Sequence, residues 1–191
     1  MELLNLCFPQ ETMELLSRFP SQRFDAIQTD PSNHAPTRFM PCGLSIGGSW
    51  YLYGQEDEKR ETPMEDILTV TFLRPADKKE IRSRRDDVVQ ETIPVGKKIL
   101  SVTVGNEKKK IKAPDGILYR VWLTREFTFT FADGHLTFRK PVYFSPFFNI
   151  ETGERETAER ERADRLPEEW EELFDSETEE EIIWFGPQGI R

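Results

Sequence analysis

The chain has 191 residues, of which 37% are hydrophobic and 12% aromatic, so it can bury a substantial core, which argues against global disorder. Its formal net charge at pH 7 is −9, which argues against non-specific binding to nucleic acid or to an anionic membrane. The acidity is concentrated in residues 166–191, which carry nine acidic side chains and one basic one, and the rest of the chain is close to neutral.

The N-terminal residues and the cysteines indicate where the protein resides. The first eleven residues begin with an acidic flank and are interrupted by Pro9, so they make a poor signal peptide. No apolar stretch approaches the ~20 residues that a membrane-spanning helix needs. Cys7 and Cys42 have no metal-ligand spacing and cannot form a dense disulfide framework, so we expect ordinary reduced thiols. We therefore expect a soluble, cytoplasmic protein without membrane contact.

The first half of the chain predicts a short helix followed by strands. Residues 11–18 form an amphipathic pattern that ends before Pro20, and residues 20–42 have the composition of a long irregular connection. Strand-like alternation then begins, with Gly47-Gly48 marking a bulge or bend. Further along, Gly105-Asn106 predicts a tight hairpin turn between two strands.

The clearest predicted element is a hairpin over residues 117–144. Asp133-Gly134 is a strong two-residue turn signal between two alternating patterns. With this turn, Phe131 pairs with Leu136 and Phe129 pairs with Phe138, so all four side chains share one face. We predict that this face belongs to the core.

The residues after 150 have a more charged composition than the strands before them. Residues 151–165 contain four opposite-charge pairs at i,i+4 spacing but almost no apolar stripe, which predicts a solvated helix or a charged linker. We therefore predict a β-rich globular domain over residues 1–150, and a charged helical segment with an acidic, aromatic tail over residues 151–191 that packs on it. The predicted fold class is α+β: a mainly antiparallel sheet or partly closed β-barrel of about six to seven strands, with a short N-terminal helix and a charged C-terminal helical segment.

Residues that could support catalysis or metal binding are sparse in the sequence. His34 and His135 could each act as a general base, but neither has an obvious nucleophile nearby in sequence. Asp86, Asp87 and Glu91 could ligate a hard cation, yet they lack the spacing and glycine of a calcium loop. We expect no enzymatic activity, no cofactor and no metal site; an enzyme of unknown class stays an alternative that would need a cleft around one of the histidines.

Six lysines are predicted to lie close together on a two-stranded ribbon, formed by the strands on either side of the Gly105-Asn106 turn. Three roles are open: protection of an exposed sheet edge, docking of the chain's own acidic tail or of an acidic partner, and binding of phosphates in nucleic acid. The ribbon has no interleaved aromatic residues for stacking bases, so we favour edge protection and expect no nucleic-acid partner. The lysines are Lys97, Lys98, Lys108, Lys109, Lys110 and Lys112.

The acidic tail is the candidate functional surface. Its aromatic residues suit binding hot spots, and its carboxylates suit steering of a basic partner. The main hypothesis is a protein-binding module of the inhibitor or immunity type that neutralises a basic protein such as a toxin or nuclease; the alternative is a β-barrel carrier for a small apolar ligand. The sequence gives no indication of oligomeric state. The predicted partner-binding residues are Glu168, Glu169, Trp170, Glu171, Glu172, Phe174, Glu179, Glu180, Glu181 and Trp184.

Overall fold

A computed structural model describes residues 2–31, 37–57, 69–112, 118–141, 147–153, 179–187 and 189–190. These residues form one helix, a 3-10 turn over Lys78–Glu80, and thirteen strands. The helix is α1 (Gln10–Ser17), and the first seven strands are β1 (Glu2–Leu6), β2 (Arg23–Thr29), β3 (Thr37–Phe39), β4 (Cys42–Ile46), β5 (Ser49–Asp57), β6 (Thr69–Pro75) and β7 (Glu91–Lys98). The remaining strands are β8 (Ser101–Lys112), β9 (Leu118–Phe131), β10 (Gly134–Arg139), β11 (Phe147–Gly153), β12 (Glu179–Gly186) and β13 (Gly189–Ile190).

The strands form two open sheets. The larger sheet has the order β13-β12-β8-β9-β10-β11-β3, and the smaller one has the order β6-β5-β4-β2-β7. Two strands share one edge of the long strand β9: β10 pairs with residues 126–131 and β1 pairs, in parallel, with residues 119–123. All the other pairings are antiparallel among the described strands.

Aromatic rings from both sheets form the core. Phe129 of β9 is fully buried, and its ring centroid lies 4.8 Å from that of Phe24 on β2 in an edge-to-face arrangement. Phe127 stacks on Phe138 of β10 at 4.8 Å. Tyr53 of β5 then contacts Phe127 from the opposite sheet, with the centroids 5.0 Å apart. The alternating phenylalanines of β9 thus join the two sheets.

The predicted fold class is confirmed in part. The mainly antiparallel sheet and the short N-terminal helix are present, but the strands that the structure describes form no closed barrel and number thirteen instead of six or seven. The predicted charged C-terminal helical segment has no support: residues 151–153 belong to β11, and residues 154–178 lie outside the described residues. The predicted boundary after residue 150 falls inside β11. The division into two parts stays a prediction.

The hairpin of β9 and β10 is confirmed, but its register was predicted wrongly. The turn is Ala132-Asp133, so Phe131 pairs with Gly134 and Phe129 pairs with Leu136. This register differs from the predicted one by two residues, and a two-residue shift leaves every side chain on its face. The alternation pattern therefore fixed the core face correctly but could not distinguish the two registers. The predicted hairpin extends to residue 144, and residues 142–144 lie outside the described residues.

Two short segments predicted as bends or turns have different roles. Gly47 and Gly48 have φ angles of 58° and 78° and form the turn between β4 and β5, as their sequence suggested. Gly105-Asn106, in contrast, lies inside β8, next to an irregularity where Arg125 is the extra residue on β9. The chain instead passes from β7 to β8 at residues 99–100, and these strands belong to different sheets. The predicted two-stranded basic ribbon is therefore wrong.

Candidate partner-binding strand

The acidic tail contributes β12 to the larger sheet. β12 pairs antiparallel with β8, so that Phe185 lies opposite Val102 and Ile183 opposite Val104. Phe185 is only 3% exposed and belongs to the main core, while Ile183 packs against that core. These two residues and Glu181 occupy alternate positions and therefore share one face. The apolar half of the tail thus fixes β12 to the domain.

The acidic half of β12 is presented to solvent. Glu179, Glu180 and Glu181 are all exposed. The Glu179 carboxylate lies 3.2 Å from the Lys108 ammonium, and both groups are well solvated, so this ion pair adds at most ~1 kcal/mol to stability. Lys108 also lies 4.6 Å from the centroid of the Trp122 ring. The Glu179 carboxylate can therefore exchange Lys108 for a charged partner at little cost to folding.

A hydrogen-bond chain fixes the position of Glu181. Its carboxylate accepts a hydrogen bond of 3.1 Å from the Asn106 side-chain amide. The Asn106 carbonyl oxygen accepts one of 2.9 Å from the Thr124 hydroxyl, which in turn accepts one of 2.8 Å from the backbone N–H of Phe8. Because Asn106 and Thr124 are buried, their polar groups would lower the stability of the fold if they had no hydrogen-bond partners. These hydrogen bonds supply the partners.

β12 is close to the end of its sheet. In the part of the chain that the structure describes, its outer neighbour is β13, which pairs only with Phe185 and Gly186. Ile182 is 50% exposed on this strand. Gly186 has a structural role here, because a Cβ atom at this position would overlap the Trp184 ring. Trp184 is partly buried and lies on the face opposite Phe185.

The structure describes four of the predicted partner-binding residues, and their role in binding stays a prediction. Glu179, Glu180, Glu181 and Trp184 are brought together on β12. The other predicted partner-binding residues, Glu168, Glu169, Trp170, Glu171, Glu172 and Phe174, lie outside the described residues. The edge-protection interpretation of the lysines is wrong for Lys108, because β8 lies between β12 and β9. The alternative of docking the chain's own acidic tail is what the structure shows at this residue.

Sequence reasoning missed a charge cluster on the larger sheet, on the face opposite the buried Phe185 side chain. The Glu107 carboxylate forms ion pairs with Lys109 at 3.3 Å and with Arg125 at 3.7 Å. A further ion pair of 2.8 Å joins Arg139 to Glu126. These side chains are mostly buried, and with Glu180 they border a cavity of about 100 Å³. Glu107 and Lys109 lie close together on β8, and the other charges come from β9, β10 and β12, so no local sequence pattern could have revealed the whole cluster.

The other sequence candidates are not gathered into a catalytic or metal site in the part of the chain that the structure describes. His34 lies outside the described residues, and His135 is a half-buried residue of β10 whose Nδ1 atom is buried without a hydrogen-bond partner there. Burial raises the pKa of the Cys7 thiol to about 12 and also raises the pKa of Cys42. The described residues contain no group of three or more His, Cys, Asp or Glu side chains that could hold a metal ion.

No helix in the described part of the chain is long and apolar enough to cross a membrane. Comparison of the chain with protein-family models, with curated proteins and with solved structures gives no match.

Proposed function

We propose that the protein is a small acidic protein-binding module, of the inhibitor or immunity type, that recognises a basic partner such as a toxin or nuclease through β12. The observation that carries this proposal is the acidic triplet Glu179–Glu181, exposed on a strand that Phe185 fixes in the core. A rigid strand presents its charges at low entropic cost, which favours binding.

The charge of β12 supports a basic partner over a second copy of the chain. Three consecutive carboxylates raise the rate of encounter with a cationic surface, and they repel an identical strand. The partly satisfied Glu179–Lys108 pair does not remove this preference, because its two groups are solvated and exchange partners readily.

The position of β12 supports recognition by strand addition. An extended peptide can add to a sheet edge through backbone hydrogen bonds, with alternate side chains giving specificity. On β12, the half-exposed Ile182 offers an apolar contact next to the glutamates. The proposed ligand is therefore an extended segment in which basic and apolar residues alternate.

A synthetic peptide of alternating lysine and valine is the probe for this proposal. Its association with the protein is measured by stopped-flow fluorescence at several salt concentrations. The test variant is Glu179→Gln/Glu180→Gln, and the matched control is Asp86→Asn/Asp87→Asn, which removes the same charge from exposed positions outside the strand. A peptide with a central proline serves as the second control, because proline cannot extend a ladder.

We expect the β12 variant to lower the association rate constant by about three- to tenfold at low salt, and the control variant to change it by less than about twofold. The proline peptide should bind more weakly than the alternating one. Equal rates for the two variants would show that the effect is one of net charge alone, and binding of the proline peptide as tightly as the alternating one would exclude strand addition.

A further inference from the structure

A second concave surface lies between the two sheets, away from β12. It is a cleft of about 440 Å³ between β7 on one side and the β9–β10 hairpin with β11 on the other. This volume lies in the range of about 300–1,000 Å³ that is usual for small-molecule sites. It equals the volume of about fifteen water molecules in the liquid, so it suits a small molecule and not a folded partner. No residue that lines it belongs to β12.

The shape of β7 opens the cleft. Between Ala26 and Phe24 of β2, the pairing with β7 becomes irregular, and Val95 and Gly96 lie opposite the single residue Asp25. Gly96 has a φ angle of 68°, which glycine adopts without strain. A bulge of this kind bends its strand and ends regular pairing.

The walls of the cleft are mainly apolar, with His135 and Thr152 as polar members besides Lys97. Ile27, Phe131 and Leu136 are buried and form its floor, whereas Ile93, Val95 and Ile150 are only partly buried. Branched aliphatic side chains that remain half-exposed in a concave surface gain free energy, about 25 cal/mol per Å², when a ligand removes them from water. The cleft therefore favours a ligand with an aliphatic body.

One cation lies at the cleft. Lys97 is the single Lys, Arg, Asp or Glu residue among the described residues that line it. Its ammonium lies 2.9 Å from the Asp133 carboxylate and 5.7 Å from the centroid of the Phe131 ring. An ammonium group has three hydrogen-bond donors, so Lys97 can bind Asp133 and a second acceptor together. Lys97 is thus the group in the lining that can bind an anionic head group while it keeps Asp133.

We infer that this cleft binds a small aliphatic carboxylate, with the hydrocarbon chain between Ile93, Val95 and Ile150 and the carboxylate at Lys97. This binding site is separate from the proposed partner-binding strand. Octanoate is the probe, and octanol is the matched ligand without charge. Binding is followed through the methyl NMR signals of the three aliphatic residues at ligand concentrations below those at which micelles form.

Three variants test the assignment. Lys97→Met keeps most of the side-chain length and should weaken octanoate binding by about tenfold without changing octanol binding, because it removes a charge-assisted hydrogen bond. Val95→Phe fills the cleft and should abolish the binding of both ligands. Val89→Phe makes the same change at a position that is 87% exposed and should leave binding unaltered.

Several outcomes would overturn the inference. These are an absence of octanoate-induced shifts at the three methyl-bearing residues, wild-type affinity in Val95→Phe, or equal affinity of octanoate for the protein and for Lys97→Met. Because Lys97 is a solvated surface residue, its variant should fold even if Val95→Phe does not, and the comparison of octanoate with octanol then decides the question. Lysine-valine peptide binding is unaffected by these variants if the two sites are separate.

Discussion

Replacing Phe129 by alanine tests the core that joins the two sheets. Its ring is fully buried, and its neighbours include Phe24 at 4.8 Å, Phe127 at 5.7 Å, Phe138 at 6.1 Å and Phe19 at 6.2 Å between ring centroids. Phe→Ala changes in cores cost about 3–5 kcal/mol, and the cost is larger where the site cannot collapse. Because strands of both sheets hold these neighbours, we expect a loss of about 4–5 kcal/mol in the free energy of unfolding.

Urea denaturation of Phe129→Ala measures this loss, with Phe147→Ala as the control. Phe147 is 37% exposed, and its ring packs against Phe39 at 4.3 Å, outside the ring cluster around Phe129, so its removal should cost about 1 kcal/mol. The difference between the two variants measures the free energy that comes from burying the ring, because both variants lose the same phenyl group. A decrease below about 1.5 kcal/mol for Phe129→Ala, with an unchanged dependence on urea, would refute the proposed core.

Two further predictions concern charged side chains. Burial, and to a lesser extent the nearby charge of Arg125, lowers the pKa of Lys140 from 10.5 to about 8. Between these pH values the unfolded chain therefore binds more protons than the folded protein. The free energy of unfolding then rises with pH. Relative to Lys140→Met, the wild type should therefore gain stability from pH 8 to pH 10.5 in urea titrations; a constant difference would contradict this. Labelled duplex DNA should not bind appreciably near physiological salt, and tight binding that disappears when Lys108, Lys109 and Lys110 become Gln would show that the lysines are a nucleic-acid site.

The sequence predicted some local features of the fold, but it missed β1, and it predicted an irregular connection where β2 and β3 lie. The alternation around Phe129 identified the core face, because side chains of a strand point alternately to its two sides. The helix at Gln10–Ser17 followed from its apolar pattern. The same alternation could not determine the hairpin register, since both registers place Phe129 in the core.

Non-local pairings could not be predicted from the sequence. Nothing in the pattern of β8 indicates that it pairs with β12, or that β7, adjacent in sequence, belongs to the other sheet. The acidic triplet was identified from composition, but its position beside Lys108 depends on this pairing. The cleft likewise forms only where β7 and β11, which are distant in sequence, approach each other.

The late position of β12 in the chain has a consequence for biosynthesis. The Lys108–Glu179 contact joins residues 71 positions apart, so at about 5–20 residues per second the ribosome needs roughly 4–14 s to synthesise the intervening chain. During that interval a nascent β8 has no β12 beside it, and pairing with strands of other chains is a hazard. Lys108, Lys109 and Lys110 would then discourage aggregation of the unfinished chain. Lys108, which pairs with Glu179 in the finished protein, can thus also protect the growing polypeptide until β12 covers this side of β8.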